Sequence, residues 1–72
     1  MLDYDGAPLS DVVADLNRYS KRRIRLADPA LAALRVTGVF RAAPVDGAAA
    51  ALAAVLKLQV AHADNGDLIL RR

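Results

Sequence analysis

Hydrophobic and polar residues first alternate along the chain and then adopt a helical spacing. Leu2 to Asp5 alternates with a period of two, which predicts a short, half-buried strand. Pro8 follows and is favoured in the first turn of a helix, where its missing N–H costs nothing. The predicted helix runs to about Ser20 and has one apolar stripe, with its charged residues off that stripe. The stripe consists of Leu9, Val12, Val13, Leu16 and Tyr19.

Both ends of this helix carry residues suited to stabilise it. Ser10 and Asp11 are expected to accept bonds from the free N–H groups of the first turn, or to offset the positive end of the helix dipole. Lys21, Arg22 and Arg23 are expected to close the helix at its negative end.

Two further strands and a helical turn are predicted next. Ile24 and Leu26 alternate with arginines, which indicates a second strand. Asp28-Pro29 is a helix-start signal and predicts one turn, from Ala30 to Leu34. Residues 35–41 contain β-prone side chains and predict a third strand, in which Gly38 marks a bulge or a close backbone approach.

The second half begins with a helix that Pro44 opens. Its predicted stripe is Val45, Ala48, Ala49, Leu52, Val55 and Leu56, and alanine fills most of its other positions. A helix that is apolar nearly all round is expected to be buried on more than one side. A fourth strand is predicted from Leu58 to Ala63 and a last one over residues 68–70. Asp64-Asn65-Gly66-Asp67 between them predicts a type I′ hairpin turn.

The order β-α-β followed by β-α-β-β indicates an internal repeat with an offset of 36 residues. Residues 4–9 align with residues 40–45, so that an aromatic residue ends each strand and a proline follows four residues later. The register continues through Leu16 with Leu52 and Lys21 with Lys57; after a two-residue deletion, Ile24 aligns with Leu58 and Leu26 with Val60. We therefore predict an α+β fold of two βαβ units, with two helices side by side between small sheets.

Length and composition limit what such a domain can do. The chain has 72 residues, 56% of them apolar, and a formal net charge of +2, so a single globular domain (residues 1–72) is expected. No apolar run approaches the roughly 20 residues needed to span a membrane. Because Met1 directly precedes a strand, the chain is interpreted as a fragment of a longer protein.

Catalytic and metal-binding chemistry finds little support. His62 is the only histidine and is predicted at the end of a core-facing row, and the chain has no cysteine or glutamate to complete a metal site. Ser10 and Ser20 lie at predicted helix ends, where capping is the simpler role than a Ser-His-Asp arrangement. Neither an enzyme nor a cofactor is expected.

A basic cluster is the best sign of nucleic-acid binding, and it is formed by Lys21, Arg22, Arg23 and Arg25. The chain lacks the Gly-x-x-Gly loop of a KH domain and the strand aromatics of an RRM, so nucleic acid is not the expected partner. Small sheets leave unpaired edges that can accept a strand from another protein. Protein binding is therefore the expected function.

Three segments resemble the C-terminal region of FecR-family anti-sigma regulators. They are Tyr4 to Val13 with Leu16 to Tyr19, then Ile24 to Leu31, and then Arg35 to Ala42. The region is similar to the secretin and TonB short N-terminal domain, whose fold is two βαβ motifs with both helices between two small sheets. The alanine-rich second helix, from Ala48 to Ala54, departs from the family pattern.

The resemblance implies a periplasmic domain of a protein that crosses the inner membrane once. Its partner would be the signalling domain of a TonB-dependent outer-membrane transducer, in iron or siderophore uptake, and the domain itself would be a monomer. One alternative is the same domain at the N-terminus of a TonB-dependent receptor or a secretin; a small basic nucleic-acid-binding domain is the alternative from another class. Independently of the resemblance, the predicted partner-contact residues are those on the exposed side of the second and third strands: Arg23, Arg25 and Arg35.

Overall fold

A computed structural model describes residues 2–41 and 44–72. The elements are β1 (Leu2–Pro8), α1 (Leu9–Asn17), β2 (Ile24–Leu26), a 3₁₀ helix (Pro29–Ala33), β3 (Arg35–Phe40), α2 (Val45–Leu56), β4 (Gln59–His62) and β5 (Leu68–Arg71). The predicted equivalence of Gly6 and Ala7 with Ala42 and Ala43 lies outside the described residues, as does Met1.

The five strands form two small sheets. β1 pairs with β3 in an antiparallel sheet, and the other sheet has the order β2-β5-β4, with β5 parallel to β2 and antiparallel to β4. Each helix contacts strands of both sheets, so the predicted α+β fold with two helices and two small sheets is confirmed. Each βαβ unit starts in one sheet and ends in the other, and neither helix joins two neighbouring parallel strands.

The internal repeat is visible at the start of both helices. Pro8 (φ −61°, ψ 141°) and Pro44 (φ −71°, ψ 151°) are extended residues that directly precede α1 and α2. The prediction that each proline lies inside the first turn was therefore wrong by one residue. Neither helix has a side-chain cap at its N-terminus, so Ser10 does not cap, whereas Asp11 lies in the first turn as expected.

One hydrophobic core joins both units. Its largest fully buried side chains are Leu9, Val12, Leu16, Leu31, Val36, Leu52, Leu68 and Leu70. Two residues predicted in the apolar stripes are mainly exposed, Tyr19 at 61% and Val55 at 54%. Tyr19 is exposed because α1 ends at Asn17, two residues earlier.

The second helix is buried on one side only, which corrects the prediction from its alanine content. Its buried residues are Val45, Ala48, Ala49, Leu52 and Ala53. Ala50, Ala54 and Val55 face solvent. Alanine has the highest intrinsic helix propensity. The abundance of alanine in α2 therefore reflects helix formation and not burial.

The end of α1 is fastened by an asparagine and not by basic residues. No base lies in the last turn of α1, and Lys21, Arg22 and Arg23 follow the helix in a loop. Asn17 accepts a hydrogen bond from the Ile24 N–H (2.8 Å) and donates its amide to the Ile24 carbonyl (3.3 Å). It thereby occupies backbone groups on the outer edge of β2, which are a template for strand addition when they are left free.

The β4–β5 hairpin has a different turn from the one predicted. Among the described residues, only Lys57 and three glycines have positive φ, so Asn65 does not adopt the conformation that a type I′ turn requires. The Gly66 N–H donates to the Ala63 carbonyl (3.0 Å), and Gly66 itself has φ +92°. This is a turn with a left-handed glycine at its end, the common three-residue alternative.

The two-stranded sheet contains a β-bulge, but the bulge lies in β1 and not at Gly38 of β3. Asp5 and Gly6 of β1 together face Thr37 of β3, and the Gly6 N–H donates to the Thr37 hydroxyl (2.9 Å). Gly38 is neither a bulge nor a site of close backbone approach, because a Cβ there would make only ordinary contact with the Phe40 ring, at 3.5 Å. Its φ of +143° is what favours glycine at this position. The bulge tightens the twist of β1 where the chain enters α1.

Tyr4 connects β1 to α1, and its titration provides a test of this packing. Its hydroxyl donates to Asp15 (2.9 Å), and its ring lies 6.3 Å from that of Phe40. Burial and, after it, this hydrogen bond raise the pKa of Tyr4 from 10.0 to about 12.

We expect Tyr4 to make the domain less stable in alkali. Between about pH 10 and 12 the unfolded chain has lost the Tyr4 proton while the folded chain still holds it. The folded state then binds more protons, so stability is fully present below pH 10 and decreases as the pH rises to 12. Urea unfolding from pH 8 to 12 should show a smaller decrease for Tyr4→Phe than for the wild type. Equal decreases would contradict the raised pKa of Tyr4.

Candidate protein-interaction surface

The three predicted contact arginines are all exposed but belong to different sheets. Arg23 and Arg25 lie just before and within β2, and Arg35 begins β3. Arg35 donates to the Gly6 carbonyl across the bulge (3.0 Å), and Arg25 forms an ion pair with Asp67 (3.0 Å). Two of the three side chains therefore also stabilise the fold. Their role in partner binding stays a prediction.

The basic cluster around β2 is partly used within the molecule. Arg22 donates to the Gly66 carbonyl (2.8 Å) and to Asp46 at the start of α2 (2.6 Å). It thus joins the hairpin, α2 and the loop before β2. Since Arg22 and Arg25 both have acidic partners within the chain, this cluster presents less free positive charge than its sequence suggests.

The residues considered for catalysis lie in three different segments, which are α1, the loop that follows it and β4. His62 is exposed at the end of β4, which corrects its predicted place in a core-facing row. Ser10 is exposed on α1, and the Ser20 hydroxyl accepts a hydrogen bond from the Arg22 N–H (3.1 Å). Across residues 2–41 and 44–72, no three acidic, histidine or cysteine side chains converge as metal ligands would.

An apolar groove lies between the end of β3 and the first half of α2. It has a volume of about 260 Å³ and is lined by Val39, Phe40, Arg41, Pro44, Gly47, Ala48 and Ala51. Val39 at its rim is 58% exposed, whereas Phe40 is buried. We call this feature the β3–α2 groove. Among its seven lining residues, Arg41 carries the only charge.

The first unit has a very different surface at the equivalent positions. Subtracting the repeat offset from the groove residues gives Asp3, Tyr4, Asp5, Pro8, Asp11, Val12 and Asp15. Four aspartates thus correspond to Val39, Arg41, Gly47 and Ala51. Sequence reasoning aligned the two units but missed the groove. The four aspartates of the first unit have no acidic equivalents in the second unit, although the repeat otherwise matches. This difference is the signal in the sequence that could have revealed the groove.

The sheet edges differ in how accessible they are. β1 and β3 each have one unpaired edge because their sheet has two strands, and β4 is an outer strand of the other sheet. The outer edge of β2 is occupied at Ile24 by the Asn17 side chain. β3 is the edge strand that also lines an apolar groove, so main-chain and side-chain binding can occur there together.

None of the described helices has the length and apolar character needed to cross a bilayer.

Comparison with known proteins leaves the family of this chain open. No protein-family model matches the chain, and no curated protein matches it.

Proposed function

We propose that this domain binds another protein as the periplasmic, signal-receiving domain of a FecR-like anti-sigma regulator. Its partner would be the signalling domain of a TonB-dependent outer-membrane transducer. The observation that carries the proposal is the two-sheet, two-helix fold, because it agrees with the architecture that the resembling segments imply.

The surface of the domain is compatible with such a role. A shallow groove of about 260 Å³ lies below the roughly 300–1,000 Å³ typical of small-molecule sites. A strand with one unpaired edge beside an apolar groove suits an extended segment of a protein. The proposal also accounts for acidic partners within the β2 cluster, since nucleic-acid binding would favour free basic side chains.

Direct binding to transducer signalling domains tests the proposal. The folded domain should bind at least one of a panel of purified signalling domains, measured by calorimetry at moderate salt. A variant in which Arg23, Arg25 and Arg35 are all replaced by serine tests the predicted contact residues and should bind more weakly. Because the Asp67 carboxylate would lose its arginine partner in this variant, folding is checked by circular dichroism. Absence of binding across the panel, or tight and salt-sensitive binding to mixed oligonucleotides, would contradict the proposed function.

A further inference from the structure

We propose that the β3–α2 groove binds an extended, acidic and apolar segment of the partner protein, which adds as a third strand to the free edge of β3. This inference rests on the proposed function, because it names the surface and the partner chemistry through which that function would work.

The shape of the groove favours side chains of a strand over a compact ligand. Its floor is the buried Phe40 together with small residues of α2, so an aliphatic side chain can enter without displacing charged groups. A strand paired to β3 points alternate side chains toward this floor and toward solvent. The main chain supplies hydrogen bonds, and the groove selects the inward side chain.

The repeat indicates that the groove is specialised. In the first unit the Tyr4 hydroxyl is bonded to Asp15 (2.9 Å), a residue whose equivalent in α2 is Ala51. In the second unit Phe40 replaces Tyr4, so that both members of this polar contact are apolar. An apolar patch on an exposed helix, at positions where the first unit carries aspartates, is typical of a binding surface.

Charge complementarity favours an acidic segment. The outward-facing residues of β3 and its end are Arg35, Thr37, Val39 and Arg41, with two bases and no acid. The neighbouring β1 presents Asp3 and Asp5 on the same face. Arg35 reaches toward β1, where it donates to the Gly6 carbonyl, so a strand on the other side of β3 would meet Arg41 at the groove. Opposite charges on adjacent strands attract.

The acid at the start of α2 does not cancel the charge of Arg41. Asp46 is held by Arg22 (2.6 Å), and Arg41 forms no ion pair with the described residues. Exposed ion pairs contribute little affinity, about 0–1 kcal/mol each. The apolar groove therefore provides most of the binding, and Arg41 sets the register of the added strand.

A random seven-residue peptide library selected on the folded domain tests this inference without any transducer protein. We expect enrichment of alternating sequences with an aspartate or glutamate at an outward position and an aliphatic residue at inward ones. Ala51→Glu should reduce the affinity of a selected peptide about tenfold or more, because a carboxylate would enter the apolar groove. Ala50→Glu is the matched control on the solvent side of α2 and should bind normally.

Arg41→Glu provides a second variant, since Arg41 is exposed and its replacement leaves the core intact. It should weaken binding of acidic peptides and favour basic ones. Enrichment of basic peptides, no enrichment at all, or normal binding by both Ala51→Glu and Arg41→Glu would overturn the inference. So would a concentration-dependent dimer that Ala51→Glu abolishes, because the occupant would then be a second copy.

The two proposals fail in different ways. If transducer domains bind with the same affinity to Ala51→Glu, Arg41→Glu and the wild type, the proposed function stands and the groove inference fails. If acidic peptides bind in the groove but no transducer domain does, the groove inference stands and the proposed function fails.

Discussion

Leu16→Ala is expected to reduce the free energy of unfolding by about 2–5 kcal/mol. Leu16 is completely buried on α1, within the core that joins both units. Truncation removes its transfer free energy and leaves a cavity, because the surrounding side chains relax only in part. A domain of this size has a stability of about 4–11 kcal/mol. The variant should therefore lose a large share of this stability, as measured by urea unfolding followed by circular dichroism.

Val55→Ala is the control for this experiment. Both positions belong to apolar stripes predicted from the sequence, yet Val55 is 54% exposed. We expect a change within about 0.5 kcal/mol, which is typical of surface substitutions. The core would not be where the structure places it if Leu16→Ala unfolded at the same urea concentration as the wild type. The same would follow if both variants lost the same free energy of unfolding.

Asp67→Ala is expected to be the second most damaging change, at about 2–3 kcal/mol. Asp67 is the one polar side chain in the buried class among the described residues. Its carboxylate accepts from the Arg23 N–H (3.3 Å) and the Asn65 amide (3.2 Å), and it pairs with Arg25 (3.0 Å). Alanine would leave these donors without their acceptor. The Arg25 side chain is 63% exposed and can be rehydrated, which keeps the loss below that of a fully buried pair.

The same measurement on Asp64→Ala separates this network from a general effect of charge. Asp64 is an exposed aspartate in the same turn, so its removal changes the net charge equally. We expect it to be nearly neutral. If Asp64→Ala and Asp67→Ala had equal midpoints, the carboxylate of Asp67 would not hold the hairpin to β2.

Local patterns in the sequence predicted most of the elements but few of the contacts between them. Alternation and helical spacing depend on neighbours within a few residues, which is why α1, β3 and the repeat register could be recognised. Asn17 and Asp67 act on backbone groups of other elements, and no local pattern marks them. Exposure of Val55 and Tyr19 likewise depends on where neighbouring elements pack.

The candidate surface was partly accessible from the sequence. Arg23, Arg25 and Arg35 were recognised as exposed positions by strand alternation, but their intramolecular partners were not. The groove required both the tertiary packing of α2 against β3 and a position-by-position comparison of the units. Four aspartates replaced by Val39, Arg41, Gly47 and Ala51 form a pattern that only becomes a surface once the fold brings them together.

The blocked edge of β2 limits how copies of the domain could polymerise. Asn17 occupies the backbone of Ile24 on one side of the three-stranded sheet, while β4 remains unpaired on the other. If two copies joined through β4, the contact would be isologous, and both outer strands of the combined sheet would then be β2. Growth of this sheet would end at two copies, so the asparagine prevents open-ended assembly through the three-stranded sheet.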